Sequence, residues 1–356
     1  MPQPDWTRGD LRHSLRVLML DPNNYAERGE LQGVAKGGSL DLTYYGDKRM
    51  AAKVSTFAED DGYDGNSALR LVHVVSDYTG ELWSETLGTF FVTDREASYS
   101  NGFSSVDYTL DSALYALEAK ALARGKAVKK GTSLLSAARQ LITECGRKVS
   151  VIGGARDTRA SAAIFYDYGK SYLSAVFDLC ERCRNLLSVD ANGTVTIAPY
   201  VAPSSTSASF EVAEGVPRGM FIPPLAVKDN SRDIPERYIV HSSEGDATVV
   251  GIAQVAGGTR SSHQVRGYTV DEVRQVSDLS PFNATRANQL AQAYLRNATQ
   301  YEASASHGMM YRPLREGQVE LLVANGEAKR WMIANASLDL GDWTWSLDLK
   351  GGWNAG

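Results

Sequence analysis

The sequence predicts a mainly β fold with an α+β insertion, in which two antiparallel β-barrel-like domains flank a smaller helix-hairpin domain. Short apolar runs separated by Gly and Asp clusters occupy both ends of the chain, as in strands joined by tight turns. The 356 residues include 32 Gly, 17 Tyr and 6 Trp, which favours strands and turns over long helices. We expect an N-terminal β domain (1–115), an α+β middle domain (116–200), a Pro-rich linker (201–235) and a C-terminal β domain with one helix (236–356).

The charge and composition argue against partners that are strongly anionic. The chain has 37 basic and 42 acidic residues, a net charge of −5, so no overall field attracts it to nucleic acid or to an anionic membrane. The N-terminus is rich in charge and has no apolar signal region, and no run approaches the roughly 18 apolar residues of a membrane span. We expect synthesis in a cytosol and no membrane anchor. Three cysteines without disulfide spacing fit a reducing compartment.

The N-terminal domain is predicted from apolar runs and one hairpin signal. Asn101-Gly102 accepts the positive φ angles of a type I′ turn and precedes an alternating apolar stretch. The polar segment 60–66 has the composition of a calcium loop, but Leu71 stands where such a loop has its twelfth, acidic residue. We therefore expect an acidic hairpin tip. The apolar runs are 15–20, 40–45, 69–75 and 89–92.

Two similar segments follow one another in the middle domain. GTSLLSAARQLITEC, from Gly131, and GKSYLSAVFDLCERC, from Gly169, match at an offset of 38 residues. Each is interpreted as a helix followed by a strand, and the second runs into a hairpin with its turn at 190–193. The basic stretch at 120–130 is expected to be a solvated helix end and linker, with contact to an acidic partner as the alternative.

The CxxC pair Cys180 and Cys183 has the spacing of a redox dithiol or of half a zinc site. Both residues fall on or beside the apolar stripe of the predicted helix, where cysteine acts as a small hydrophobic residue. The repeat partner of Cys183 is the single Cys145, and no second Cys or His pair stands at zinc-finger spacing. We expect three reduced, unmetallated and mostly buried cysteines, with a redox or metal role as the alternative.

The last third of the chain returns to β structure after a Pro-rich stretch. Six of the eleven prolines lie in 199–235, which favours an extended and poorly packed crossing between domains. Asn325-Gly326 marks a hairpin, and Asn283 is a candidate N-cap of a helix with an apolar stripe. The expected strands are 236–242, 247–255, 318–323, 331–338 and 343–349.

Motifs with catalytic or cofactor chemistry are absent from the sequence pattern. Gly169-Lys170-Ser171 resembles the end of a phosphate-binding loop, but Ile164 occupies the position of its first glycine, so Ser171 is interpreted as a helix cap. The five histidines follow no metalloprotease pattern and stand near no GxSxG serine. We expect no catalytic, cofactor-binding or metal-binding residues. The histidines are His13, His73, His241, His263 and His307.

The order of these segments resembles that of hub proteins from bacteriophage tail tips and baseplates. The strongest pieces are the helix and hairpin at 169–200 and the final block at 307–349, whose RPLREGQVELLVANGEAKRWMIANASLDLGDWTWSLDLKG is similar to the way such hubs close their second β domain. The chain stops at Gly356, directly after this block, so we expect no lytic or fibre domain in it.

The resemblance implies a non-enzymatic structural part of the virion. In that family the hub is a homotrimer that joins the end of the tail tube to the tip. Implied partners are the tail tube and distal tail proteins, the tape-measure protein and receptor-binding proteins, with no specific nucleic-acid sequence. The alternatives are a tail-associated cell-wall-degrading enzyme and, more distantly, the spike of a contractile secretion apparatus.

Overall fold

A computed structural model describes residues 4–6, 10–35, 37–44, 48–57, 61–100, 103–123, 125–216, 220–244, 247–276, 283–299, 301, 303–315 and 317–354. Within them the chain forms an N-terminal β region, a middle α+β module and a C-terminal β region that carries a small lobe. No helix of the described part is both long and apolar enough to cross a membrane.

Seven antiparallel strands form the N-terminal β region, in the order β2-β1-β5-β6-β7-β4-β3. Alternation buries every second side chain of β4, as expected for a strand with one face on a core. β6 has 21 residues and a bulge between Val92 and Asp94, so its first part pairs with β5 and its second with β7. The strands are β1 (Arg12–Leu20), β2 (Glu27–Glu30), β3 (Ser39–Thr43), β4 (Met50–Thr56), β5 (Ala68–Asp77), β6 (Gly80–Ser100) and β7 (Phe103–Asp111).

Two local expectations for this region have different outcomes. The predicted β6–β7 hairpin is confirmed by the pairing of Ser100 with Phe103, whereas the turn residues 101–102 lie outside the described residues. The prediction of an acidic hairpin tip at 60–66 is wrong for Asp61. This residue is buried and accepts hydrogen bonds from the hydroxyls of Thr56 and Tyr108. These two hydroxyls satisfy a carboxylate that would otherwise be costly to bury.

The middle module confirms the internal repeat. α2 and α3 begin and end 38 residues apart, as do β8 and β10, and the side chains of Ser133 and Ser171 cap the two helices in the same way. β8 pairs with β10, and β9, β12 and β11 form a second small sheet. The elements are α1 (Tyr115–Glu118), β8 (Lys126–Val128), α2 (Leu134–Glu144), β9 (Val149–Val151), β10 (Ile164–Tyr166), α3 (Tyr172–Arg182), β11 (Asn185–Val189) and β12 (Val195–Pro199).

The C-terminal β region has the predicted hairpin and helix cap. Asn325 and Gly326 have φ of 51° and 77° and connect β19 to β20, and the side chain of Asn283 accepts a hydrogen bond from the amide of Arg286 at the start of α5. The elements are β13 (Phe210–Ala213), β14 (Phe221–Asp229), β15 (Arg237–Glu244), β16 (Ala247–Gln254), α4 (His263–Arg266), β17 (Asp271–Gln275), α5 (Ala284–Thr299), β18 (Ala303–Met310), β19 (Val319–Ala324), β20 (Glu327–Asp339) and β21 (Thr344–Asn354).

The expectation of two separate barrels needs correction, because thirteen strands from both β regions form one sheet. β20 pairs with β19 along its first part and with β3 along Asn335–Asp339, so it connects the two regions. The described strands do not close into barrels by ladder pairing, and within the two β regions only the single bridges Val34–Thr56 and Ala213–Met220 add to the ladders of the described residues. Local alternation in a sequence predicts strands but not which distant edge a strand will cover.

The expected linker at 201–235 also differs from the structure. β13 runs parallel to β19, and β14 pairs with β18 at the edge of the large sheet. Pro223 and Pro224 lie in β14 beside a bulge, and an edge strand is the place where a sheet tolerates residues without an N–H donor. The Pro-rich composition therefore marks an edge strand.

A small lobe is inserted between the neighbouring strands β14 and β18. Its strands pair in the order β16-β15-β17, and α5 packs on one face of this sheet around Val240, Ala253, Ala291 and Leu295. Gly251 is required there, because a Cβ would lie 2.1 Å from the carbonyl carbon of Ala287 in α5.

Candidate assembly surfaces and buried polar clusters

The described residues contain no group of three or more His, Cys, Asp or Glu placed to hold a metal ion. Two clefts have volumes of about 130 and 340 Å³, one between β14 and the β19–β20 hairpin and one between β16 and α5. Neither is lined by histidine or cysteine. The expectation of no catalytic or cofactor site stays a prediction.

The cysteines occupy equivalent positions in the two repeats. Cys145 and Cys183 are the C-cap residues of α2 and α3, and Cys180 lies one turn earlier in α3. Cys180 and Cys183 are 3% and 2% exposed, Cys145 is half-buried, and all three are free thiols. Burial raises the pKa of Cys180 to about 12, so this thiol is a poor nucleophile. Burial of the CxxC pair in the core is confirmed.

Part of the basic stretch is structural, which differs from the expected solvated linker. The ammonium of Lys126 forms an ion pair with Glu144, and that of Lys120 donates to the backbone carbonyl of Glu144 at 2.5 Å. The Tyr172 hydroxyl also donates to the Glu144 carboxylate. These contacts join α2 to α3, whereas Lys129 and Lys130 are exposed.

An aromatic cluster with two histidines joins the N-terminal and C-terminal β regions. His73, on β5, is fully buried and stacks on Trp343 with ring centroids 3.9 Å apart. Its Nε2 lies 2.9 Å from Nδ1 of His13, while its Nδ1 is buried without a hydrogen-bond partner. Desolvation, assisted by His13, lowers the pKa of His73 to about 2, so the ring stays neutral. Trp6, Trp83 and Tyr311 complete the cluster.

Tyr311 links this cluster to a buried carboxylate. Its hydroxyl donates to Glu85, on β6, at 3.1 Å. Burial raises the pKa of Glu85 and, more strongly, that of Tyr311. The sequence does not reveal this junction, because residues more than 200 positions apart leave no spacing pattern. The one available signal is the alternation of LRLVHVV, which puts His73 on the same strand face as Leu69 and Leu71.

His307 and Glu320 form a second polar cluster inside the C-terminal β region. Both side chains are fully buried, and Nε2 of His307 lies 2.8 Å from Oε1 of Glu320. The other ring nitrogen, Nδ1, faces the carbonyl oxygen of Gly308 at 2.7 Å. Desolvation opposes the charged ring, but the carboxylate outweighs it and raises the pKa of His307. Each ring nitrogen of His307 thus faces an oxygen that accepts hydrogen bonds. The His307–Glu320 pair must therefore hold one proton more than a neutral imidazole and a carboxylate would.

The remaining two histidines lie in the small lobe, away from these clusters. His263 Nδ1 lies 2.6 Å from the buried carboxylate of Glu236 and its backbone amide donates to the same group. His241 is half-buried on β15. The five histidines therefore occupy three places, and the only direct contact between two of the described histidine rings is that of His13 with His73.

Exposed apolar side chains mark the sheet face of the lobe that α5 leaves uncovered. Ile239 pairs with both Ile252 and Val273, so the three lie in one row across the sheet. Ile252 and Val273 are 53% and 59% exposed. Strands that are apolar on both faces are typical of sheets covered on both sides. This face and the edge strand β14 are candidate contact surfaces for other proteins.

Comparison with known proteins gives matches among solved structures. A tail protein from Neisseria meningitidis MC58 superposes with a TM-score of 0.70 at 12% identity, over 95% of this chain and 96% of that one. The 43 kDa tail protein of prophage MuSo2 from Shewanella oneidensis gives 0.66 at 11% identity, over 95% and 98% of the two chains. A chain of the half-lidded Francisella PdpA-VgrG complex gives 0.60 at 8% identity, over 96% of this chain but 58% of that chain.

No protein-family model and no curated protein matches the chain. The two tail proteins are matched over nearly their whole length, so the likeness extends to the arrangement of both β regions, the middle module and the lobe. The chain therefore has the fold of phage and prophage tail proteins, in agreement with the resemblance that its sequence indicates.

Proposed function

We propose that the chain is a structural hub protein of a phage or prophage tail tip or baseplate. In this role it joins the end of the tail tube to the tip and to receptor-binding or lytic components, and it belongs to the virion. The observation that carries the proposal is the match to a tail protein over 95% of this chain and 96% of that one. A continuous sheet through both β regions suits a part that transmits load between neighbours.

The proposed assembly is a homotrimer. Tail tubes in the family that the sequence resembles are hexameric, whereas tips that end in one central spike are threefold. Two β regions per chain would let three copies present six β modules around a central channel. Such a ring needs heterologous contacts that close after three copies. The distal tail protein and the tape-measure protein are the expected neighbours.

A cryo-EM map of the intact tail tip tests both proposals. We expect density for three copies of the chain at the distal end of the tube. Six copies, one copy, or a location away from the tip would contradict the assignment. A peptidoglycan zymogram of the purified chain is the companion test, since clearing would favour the cell-wall-degrading enzyme over a structural role.

A further inference from the structure

Charge is unevenly distributed along this chain. The segment 112–200 has 13 basic and 7 acidic residues, whereas 1–111 has 10 basic and 18 acidic residues. The middle module is therefore basic in an acidic protein, and the N-terminal β region is its most acidic part. Segregation of this kind allows electrostatic attraction between surfaces of opposite sign.

Three basic residues of the middle module lie together on one exposed surface. Phe165 is 73% exposed on β10, and it pairs with Ala127 on β8, two residues before Lys129. Lys130 follows, and the Arg159 guanidinium donates to the carbonyl of Gly131 at 2.9 Å, which fixes it beside the two lysines. We call this surface the basic patch; it consists of Lys129, Lys130, Arg159 and Phe165.

No salt bridge joins the three cations of the basic patch to a described residue of the same chain, and all three are exposed. The nearest acids in sequence are Asp157 and Asp167. Asp157 already accepts a hydrogen bond from the Leu135 amide at the start of α2. The patch therefore has an excess of positive charge around an exposed aromatic ring.

An acidic surface of matching composition lies on the N-terminal β region. In the β4–β7–β6 sheet, Ser55, Asp107 and Glu96 lie in one row, so the two carboxylates are direct cross-strand neighbours. Asp94 lies one row away on the same face, and Phe57, directly after β4, is 71% exposed. The opposite face holds the buried residues Val54, Val106 and Tyr108. We call the outward surface the ribbon face; it consists of Phe57, Asp94, Glu96 and Asp107.

Among the described residues, no ion pair neutralises the three carboxylates of the ribbon face. Like charges directly opposite in a sheet destabilise it, and only Ser55, whose hydroxyl donates to Asp107 at 2.5 Å, contacts this carboxylate pair in the described residues. Lys53 lies on the same outward face, in the row of Thr109 and Asp94, but no described ion pair joins it to the three acids. Arg95 points to the other face, where it donates to the Tyr108 hydroxyl.

We propose that the ribbon face of one copy docks on the basic patch of a second copy. The basic patch has three cations, and the ribbon face has three carboxylates against the single cation Lys53, so the two surfaces have net charges of opposite sign. Each lies beside one exposed phenylalanine, so ion pairs can surround an apolar contact. A long polyanion fits less well, because the protein as a whole has a net charge of −5 and repels it. The contact uses two different surfaces, as ring closure by a trimer requires. The number of copies in the ring, three, is taken from the proposed function.

Charge reversal tests the pairing. We expect wild-type chain at 50 mM salt to self-associate, and the double variants Glu96→Lys/Asp107→Lys and Lys129→Glu/Lys130→Glu each to weaken association at least about tenfold in sedimentation equilibrium. The variant that carries all four changes should associate again, because the two surfaces have exchanged their charge signs and still attract each other. Glu272→Lys, on the exposed strand β17, is the matched control and should associate as wild type.

Unchanged association in both double variants, no recovery in the fourfold variant, or no self-association of the wild type would each overturn the pairing. Circular dichroism and the thermal midpoint establish that each variant is folded. A photo-crosslinking residue at Phe57 gives an independent readout, with crosslinks expected to peptides 126–131 or 156–166 of another copy. If tail tips contain three copies and the reversals do not change incorporation, the docking is wrong while the hub assignment stands.

Discussion

Single buried histidines give the two β regions opposite responses to pH. His73 is kept neutral in the folded protein, since its pKa falls to about 2, whereas the pKa of His307 is raised by Glu320. His73 therefore contributes stability above pH 6.5 that is lost as the pH falls. His307 contributes stability below pH 6.5. This contribution is lost as the pH rises through the pKa that His307 has in the folded protein.

We predict that His73→Phe reduces acid sensitivity. In the wild type the unfolded chain gains a proton that buried His73 cannot take, so this group alone removes about 2 kcal/mol of the free energy of unfolding between pH 7.5 and 5.0. Urea unfolding at the two pH values measures the loss. A difference in His73→Phe equal to that of the wild type would show that another group controls the response.

We predict that Cys180→Ala lowers the free energy of unfolding by about 1 kcal/mol, because it removes one buried sulfur from the helix core. No metal should be released. Elemental analysis of the purified protein is the check, and stoichiometric zinc in the wild type would contradict the assignment of three unmetallated thiols.

At the scale of elements, the repeat in the middle module was predictable from the sequence. Seven identities at an offset of 38 coincide with helices and strands at the same offset, and they include the serines that cap the two helices and the cysteines that end them. The role of β14 was not predictable. Its prolines indicate irregular backbone, but only the pairing with β18, more than 70 residues away, makes it a sheet edge.

We predict that Ser133→Ala and Ser171→Ala each lower the free energy of unfolding by about 1 kcal/mol. Each removes the hydroxyl that accepts a hydrogen bond from the amide three residues later, at 3.0 and 3.1 Å. Ser136→Ala, an exposed position inside α2, is the matched control and should stay within about 0.5 kcal/mol of wild type. Chemical denaturation resolves these differences, and equal losses at all three serines would contradict the capping role.

At the scale of the whole molecule, the mainly β class was predictable from the sequence, whereas the connection of the two β regions was not. β20 has the pattern of one alternating strand, and nothing in its sequence indicates that residues 335–339 pair with β3. The aromatic junction around His73 was hidden for the same reason. Alternating patterns predict on which face of a strand a side chain lies. Which distant strand will pair with that strand depends on the rest of the chain.

We predict that the small lobe opens before the large sheet. Among the described residues, the packed cluster of the lobe has four buried apolar residues, whereas the cluster shared by the two β regions has thirty. Amides of β15 and α5 should exchange with deuterium faster than those of β20 and β21 under native conditions. Equal protection in both parts would mean that the lobe is held by more than its own core.

The place where the lobe joins the sheet has a further consequence. Asp229 and Ala303, the last residue of β14 and the first of β18, are paired directly across the sheet, so the lobe departs and returns at one point. A two-residue turn could connect these positions, and the sheet beneath would keep its register. The lobe is thus an exchangeable unit: lineages of this fold can enlarge, replace or delete it without redesigning the β regions, and a foreign domain can be grafted at the same junction.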